Sequence, residues 1–488
     1  MRASDRVAVM PMNPETSPSE RSRTMLWRPD DRHGVLLGAI AWVLIVLMIV
    51  PEGFDYQGLT TIGPPSSGGS ISRMLWIGLF SLSAIVVFWR GPLAILLARA
   101  MNPFLLLFAA LALASVIWSI DPTLSLRRLF RMGTMVTVAS AFVLMGWHAR
   151  RFQNVVRPAL TVLLIGSIAF GLAFPSLAIH QEASSELAGA WRGLANHKNG
   201  LGDLACLGLI FWLHAWLAGE VKFAPALGGA AVAATCLLLS HSSTSLAAAV
   251  FVTFVLVAVF RTPAGRRPYL PALVVLVVSV LGIYGLAILD LVPGLRTLMA
   301  PVSWLTGKDL TLTGRTAIWD VLADHIRFHP LLGTGYAAYW TAGAVAGTDS
   351  YAYIWRMGSF YPGSAHNGYL DVLNDLGWVG LSCLFGYLFV FVRQCLQLLS
   401  IDRSQSLLYL ALFLQQALTN LSETHWFSVL SIDFVIMTLA TLALARGLLE
   451  HRLRLAFGAP DFIGAGPGQL RQGFAWQTSF PRVQRRGS

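Results

Sequence analysis

Charge is scarce in this sequence. Asp, Glu, Lys and Arg make up 12% of the 488 residues and hydrophobic residues 55%, where a soluble chain of this size would carry roughly 25% charged residues. That shortage argues against a single soluble core, which could not absorb so much apolar sequence, whereas a bilayer could. Alternation within the apolar runs is also missing, which argues against a transmembrane β-barrel. Cysteine is rare: Cys206, Cys236, Cys383 and Cys395 all sit inside apolar runs, and no pair has metal-ligand spacing. They read as small apolar residues in helix or lipid contacts. No nucleic-acid motif accompanies the net charge of +11; the charge fits a positive-inside bias and anionic headgroups. No internal repeat or heptad pattern occurs.

What is present is a series of long apolar segments. The fold class expected is an all-α polytopic membrane protein with about twelve transmembrane helices, each near the ~20 residues a bilayer requires. Their limits are 34–51, 73–89, 103–119, 130–147, 157–175, 201–218, 224–241, 243–261, 270–290, 376–398, 405–421 and 428–447. Residues 1–33 lack an apolar core, so they are not a cleavable signal peptide and read as a disordered cytoplasmic tail. Residues 449–488, rich in Gly, Pro, Gln and Arg, read the same way. Between the tails lie a nine-span bundle (34–290), a large loop (291–375) and a three-span bundle (376–448).

Arg and Lys counts set the orientation. With the N-terminus inside, the inner segments hold Arg2, Arg6, Arg21, Arg23, Arg28, Arg32, Arg90, Arg99, Arg150, Arg151, Lys222, Arg266, Arg267, Arg393, Arg403, Arg452 and Arg454. Both termini are then cytoplasmic, and the large loop faces away from the cytoplasm. Arg127, Arg128 and Arg131 break the pattern after the third span. They read as headgroup anchors or as contacts for a polyanion or lipid phosphate.

Residues 314–380 mix Arg, Asp, His and Asn in a chain that is otherwise Leu, Ala and Val. A polar insert between spans suggests a water-facing site built on a helical scaffold. The pattern predicts a helix over 316–328, bounded by Pro330, with Arg315 at its start. A helix N-terminus already carries partial positive charge. An Arg there fits an anion such as a diphosphate, or else a solvated, headgroup-anchored side chain. His325 and His329, four apart, share a helix face but lack an acidic third ligand nearby. The run 329–335 reads as a turn.

His366 sits just before the tenth span. An unperturbed His titrates near ~6.5 and can take a proton at neutral pH; the alternative is an interfacial packing His. Residues 193–202, with Asn196, Lys198 and Asn199, precede the sixth span on the same side. Lys198 and the backbone N–H groups of that helix start form a possible phosphate cradle, or an ordinary capped loop.

Trp118-Ser119-Ile120-Asp121-Pro122, the 196–202 loop, Gly314-Arg315-Thr316, the 329–335 turn and His366-Asn367 occur in an order that resembles the O-antigen ligase and polymerase superfamily. The Asn-x-Lys-Asn loop looks most like its exopolysaccharide polymerase branch, and the resemblance covers about residues 100–445. It implies a GT-C-like membrane fold and metal-independent, inverting glycosyl transfer with no cofactor. The implied donor is a glycan on undecaprenyl diphosphate, at the outer face of the inner membrane. His366 matches the family's general base, and Arg315 the diphosphate-binding Arg. One departure stands out: ligases often carry a second Arg after a Ser-rich stretch, and residues 240–245 contain none. That leaves a second diphosphate contact to Lys198 or Arg127 and tilts the reading from ligase to polymerase.

The expectation is therefore a polymerase of lipid-linked repeat units, with His366 and Arg315 catalytic and Lys198, Asn199, Asn196, Asn367 and Arg127 binding substrate. Asn367 and Asp371 could orient His366 or the acceptor. Expected partners are membrane lipids, the lipid-linked oligosaccharide, a flippase and a chain-length regulator; nucleic acid is excluded. Two alternatives are ligation to lipid A core and, in a different class, a transporter or flippase. A transporter needs polar groups at span centres, and few spans carry any beyond Asp290 and Asp433.

Overall fold

The computed structural model describes residues 32–51, 55–56, 70–181, 187–269, scattered positions from 271 to 279, 315–340 and 363–457. Most of the ninth expected span and of the 291–375 loop, residues 1–31 and residues 458–488 lie outside the described residues, while 449–457, expected as tail, are helical. Among these residues the chain is all helical, with one isolated bridge between Ile179 and Trp191.

Among the described residues, the helices of ten residues or more are α1 (Arg32–Ile49), α2 (Ser70–Trp89), α3 (Gly91–Ala100), α4 (Pro103–Ala114), α5 (Pro122–Leu144), α6 (Arg151–Ala173), α7 (Lys198–Leu217), α8 (Phe223–Leu239), α9 (Ser243–Phe260), α10 (Arg315–Phe328), α11 (Gly368–Leu399), α12 (Arg403–Thr419) and α13 (Ile432–Phe457). A helix overlaps every expected span except the ninth, but α5 begins eight residues before its span and α13 ends ten residues after its own. Six are long and apolar enough to cross a membrane, or seven if α3 and the α4 segment make one bent span. This is a multi-pass membrane protein.

Starts and stops follow local chemistry. Asn102 accepts from the Phe104 N–H at 3.1 Å, Asp121 from the Leu124 N–H at 2.9 Å and Asp402 from the Gln405 N–H at 3.1 Å. Each satisfies an orphan donor of the first turn. Pro103 and Pro122 follow two of these caps, where their missing N–H costs nothing. Residues 91–100, read from sequence as a connecting segment, form helix α3, bent 100° from the next segment. Asn102-Pro103 makes that bend, because Pro103 cannot donate back into α3 and Asn102 restarts the ladder.

Contacts distant in sequence sort the helix ends into two layers. At one end Arg151 reaches the Gly34 carbonyl at 2.6 Å, Trp147 donates to Glu450 at 2.9 Å and Gln394 to the Ala100 carbonyl at 3.2 Å. At the other, Trp118 donates to the Leu332 carbonyl at 3.1 Å and Ser125 to the Tyr336 carbonyl at 2.9 Å. Between them α13 is central and almost wholly buried, while α2 is peripheral and mostly uncovered.

One interlock fixes the second end. α11 breaks at Gly377, where φ is +62 and ψ −163. The break releases the Trp378 and Val379 N–H groups, which donate to the Pro330 and Leu331 carbonyls at 2.9 and 3.2 Å. Returning across the gap, the Gly335 N–H donates to the Asp375 carbonyl at 3.0 Å. The 329–335 turn is thus keyed into a kinked helix, and Ile120 N–H adds a bond to the Thr334 carbonyl at 3.0 Å. A Cβ on Gly377 would stand 2.2 Å from the Leu331 carbonyl carbon, a backbone atom. Gly377→Ala is therefore expected to cost more than ~2 kcal/mol from clash and left-handed strain together. Gly447→Ala, on α13 with open space around it, should be neutral or gain up to ~1 kcal/mol. Thermal unfolding in detergent checks the pair, and equal midpoints would refute the interlock.

Candidate active site

The second layer brings three of the residues singled out above, His366, Arg315 and Asn199, together on Glu423. This carboxylate lies in the linker between α12 and α13. Its Oε1 accepts from Arg315 Nη2 at 2.9 Å and from Asn199 Nδ2 at 2.6 Å, while its Oε2 lies 3.4 Å from His366 Nδ1. Arg315 is the first residue of α10, Asn199 the second of α7, and His366 stands two before α11. Three helix starts converge on one side chain.

The linker is held tightly. Gly368 N–H donates to the Asn420 and Glu423 carbonyls at 2.9 and 3.0 Å. A Cβ on Gly368 would meet Asn420 Oδ1 at 2.0 Å, so only glycine allows this approach. Asn420 Oδ1 in turn accepts from the His425 and Trp426 N–H groups at 2.9 and 2.8 Å. Thr424 donates to Asp371 Oδ2 at 2.5 Å.

His366 is clamped on both sides. Ala365 N–H meets both Asp371 oxygens at 3.1 Å. Asn367 caps α11 by accepting from the Tyr369 and Leu370 N–H groups at 3.0 and 3.1 Å, and it donates to the Leu421 carbonyl at 3.2 Å. Between them His366 takes a left-handed backbone with φ +48. Such a conformation in a non-glycine residue costs ~1–3 kcal/mol and persists only where neighbours impose it. It places the ring against Glu423 with 28% of the side chain exposed, enough for a substrate to reach.

Electrostatics follow from this packing. Burial by itself would raise the Glu423 carboxyl, but the His366 contact and the Arg315 charge outweigh it and bring it down to about 2. Its contribution to stability is complete above the ordinary carboxylate value and is lost only as pH falls toward about 2. His197, the N-cap of α7, is pushed down to about 4 by burial, with His180, His366 and Lys198 adding to the effect against Glu423. It is neutral at pH 7.

The remaining predicted residues fall in different places. Lys198 opens α7 beside Asn199 and is half-buried, while Asn196 is exposed. The Lys198 and Asn199 N–H groups point onto His180 Nε2 at 3.2 Å and His197 Nδ1 at 3.4 Å. Two donors of the expected phosphate cradle thus already have imidazole acceptors. Asn367 is fully buried as a cap, and Asp371 orients the backbone around His366. Arg127 is exposed on the first turns of α5. Its neighbour Arg128 bonds the Ala337 and Trp340 carbonyls, and Arg131 lies over the Trp76 ring at 5.5 Å. His325 bonds Thr334 at 3.3 Å and packs on Tyr339.

Glu423 went unread in the sequence. Its signal is the polar run Ser422-Glu423-Thr424-His425 between two apolar segments, at a level shared with His366. Behind it, Asp203, His425 and Asp433 bring ligand-type atoms within 4.8 Å of one another.

Residues 228–385 match the sequence model of the O-antigen ligase family. The resemblance drawn from the motifs holds. The matched segment includes Arg315, His366 and the kinked half of α11, and it ends before Glu423. The chain is also 29% identical over 346 residues to the exopolysaccharide production protein ExoQ of Rhizobium meliloti (strain 1021), covering 69% of this chain and 74% of that protein.

Proposed function

We propose that this chain is a glycosyltransferase of polysaccharide biosynthesis, a polymerase that joins oligosaccharide repeat units carried on undecaprenyl diphosphate. The observation that carries this reading is the convergence of Arg315, Asn199 and His366 on Glu423, in a chain resembling the O-antigen ligase family and ExoQ. Glu423 takes the Nδ1 side of His366, and the tautomer in which Nδ1–H donates leaves the lone pair on Nε2. Nε2 removes the proton from an acceptor hydroxyl. The hydroxyl oxygen bonds to the anomeric carbon of the donor as the bond from that carbon to the diphosphate oxygen breaks. The electron pair leaves with the lipid diphosphate, and the anomeric centre inverts. Arg315 meets the charge that develops on the leaving group, as electrostatic stabilisation requires. A neutralised diphosphate is already a good leaving group.

Lys198 supplies the second cation that residues 240–245 lack, with Arg127 and Asn196 on the exposed approach. Asn367 acts through the backbone of His366. The site belongs to the outer face of the inner membrane, in a twelve-span arrangement with both termini cytoplasmic, and it acts beside a flippase and a chain-length regulator.

A strain lacking the gene tests this directly. Extracted lipid-linked sugars should accumulate as single repeat units, and restoring the gene should restore polymer. Full-length polymer retained on the carrier would instead mark a ligase and overturn the polymerase reading.

A further inference from the structure

Beneath Glu423, the ring of His425 lies between two buried carboxylates. Its Nε2 stands 3.1 Å from Asp203 Oδ2 on α7, and its Nδ1 stands 3.7 Å from Asp433 Oδ2 on α13 and 2.8 Å from Ser431 Oγ. Each carboxylate gives its other oxygen to neutral donors. Asp203 Oδ1 accepts from Ser245 at 2.7 Å; Asp433 Oδ1 accepts from Gln415 at 3.1 Å and from Gln416. The Asp203 and Asp433 side chains are 2% and 1% exposed. Two buried carboxylates so placed need a positive partner. Among the described residues, the cation-capable group paired with both is His425. A metal ion would bond one ring nitrogen, yet the carboxylates face different nitrogens. Nδ1 has Ser431 Oγ rather than Asp433 at hydrogen-bond distance, so the ring pairs with the two carboxylates through its charge.

His425 is two residues from Glu423 in the same clamped linker, and its N–H is tied to Asn420 Oδ1, the group that also abuts Gly368. We propose that His425 is a positioning residue, held as an imidazolium between Asp203 and Asp433, whose charge ties the Glu423 linker to α7 and α13. This rests on the role given to Glu423 above. It also explains why the residues 240–245 stretch carries serines: Ser242 and Ser245, bonded to each other at 2.8 Å, orient Asp203 rather than a substrate.

Burial alone would push the His425 ring down; Asp433 and Asp203 outweigh it, with Glu423 adding, and raise it to about 9. The charged ring therefore stabilises the fold fully below the ordinary His value. That contribution declines as pH rises, and it is gone above about 9. The groups facing the ring are Asp203, Asp433 and Glu423, all acidic, so all act in the same direction.

The test uses the full chain in lipid nanodiscs with isotope-labelled histidine, the His425 signal being assigned by its loss in His425→Gln. The ring should carry a proton on both nitrogens at neutral pH and titrate near about 9. Asp203→Asn should lower that midpoint by at least about one unit. In polymerisation assays it should lower turnover, leave the apparent affinity for the donor unchanged and move the alkaline limb of the rate profile with the ring. A ring neutral at neutral pH overturns the charge assignment, even if Asp203→Asn fails to accumulate. A charged ring with unchanged turnover and alkaline limb in Asp203→Asn overturns the positioning role. If wild-type protein shows no glycosyl transfer, the polymerase reading fails, while the titration still decides the state of His425.

Discussion

Replacing His366 removes polymer while leaving the protein in the membrane: that is the largest effect expected here. A positioned general base is worth ~10² to 10⁴ in rate, and His366 is the histidine on Glu423 with its ring partly exposed. Alanine alone would be an imperfect test, because the residue has φ +48, and alanine tolerates the left-handed region poorly. Asparagine is enriched there and cannot act as the base. Both His366→Ala and His366→Asn should lose at least ~10²-fold of polymerising activity, while His366→Asn keeps wild-type thermal stability to within ~1 kcal/mol. Single repeat units should accumulate on the lipid carrier in both strains. Polymer made at the wild-type rate by stable His366→Asn protein would make His366 a packing residue and remove the catalytic assignment.

Glu423→Gln is expected to come second. The amide keeps the size of the side chain but loses the charge that pairs with Arg315 at 2.9 Å and orients His366 at 3.4 Å. In a comparable His–carboxylate arrangement, loss of the orienting charge costs up to ~10⁴ in turnover; here a loss of ~10² or more is expected. Stability should fall as well, by ~1–3 kcal/mol, since charge-assisted hydrogen bonds to Arg315 and Asn199 are weakened together. The wild-type carboxyl loses its charge only toward about pH 2, so the substitution creates at neutral pH a state the protein otherwise meets only in strong acid. Turnover assays and unfolding in detergent check both halves. A variant with normal turnover would leave Glu423 as a structural clamp and return the orientation of His366 to the backbone alone.

Much of the architecture was legible because membrane helices announce themselves locally. A run of about twenty apolar residues needs no partner to be recognised, and the caps at Asn102 and Asp402 stand next to the runs that begin at 103 and 405. The helix starting at Arg315 and the turn at 329–335 follow from Pro and Gly in the same way. Helix α3 was missed because its ten residues fall short of a span, and only the bend at Asn102-Pro103 joins it to the next segment.

The site was legible in part. His366 and Arg315 stood out as polar residues in an apolar chain, and the structure brings both together with Asn199. It leaves Arg127 and Asn196 exposed, and it turns Asn367 into a buried cap. No local pattern could show that Arg127 faces out while Arg128, one residue on, bonds the Ala337 and Trp340 carbonyls. Nor could one show that imidazoles already accept from the first N–H groups of α7.

By itself the sequence determined the class of the molecule, the positions of its apolar helices and the chemical types available at their ends, because each depends on neighbours within a few turns. The tertiary structure alone decided which of those ends meet. Glu423 is 57 residues from His366, 108 from Arg315 and 224 from Asn199. Those distances close only when α7, α10, α11 and α12 pack, and packing is fixed by shape, by glycine approaches such as Gly368 against Asn420, and by the pairing of buried charges.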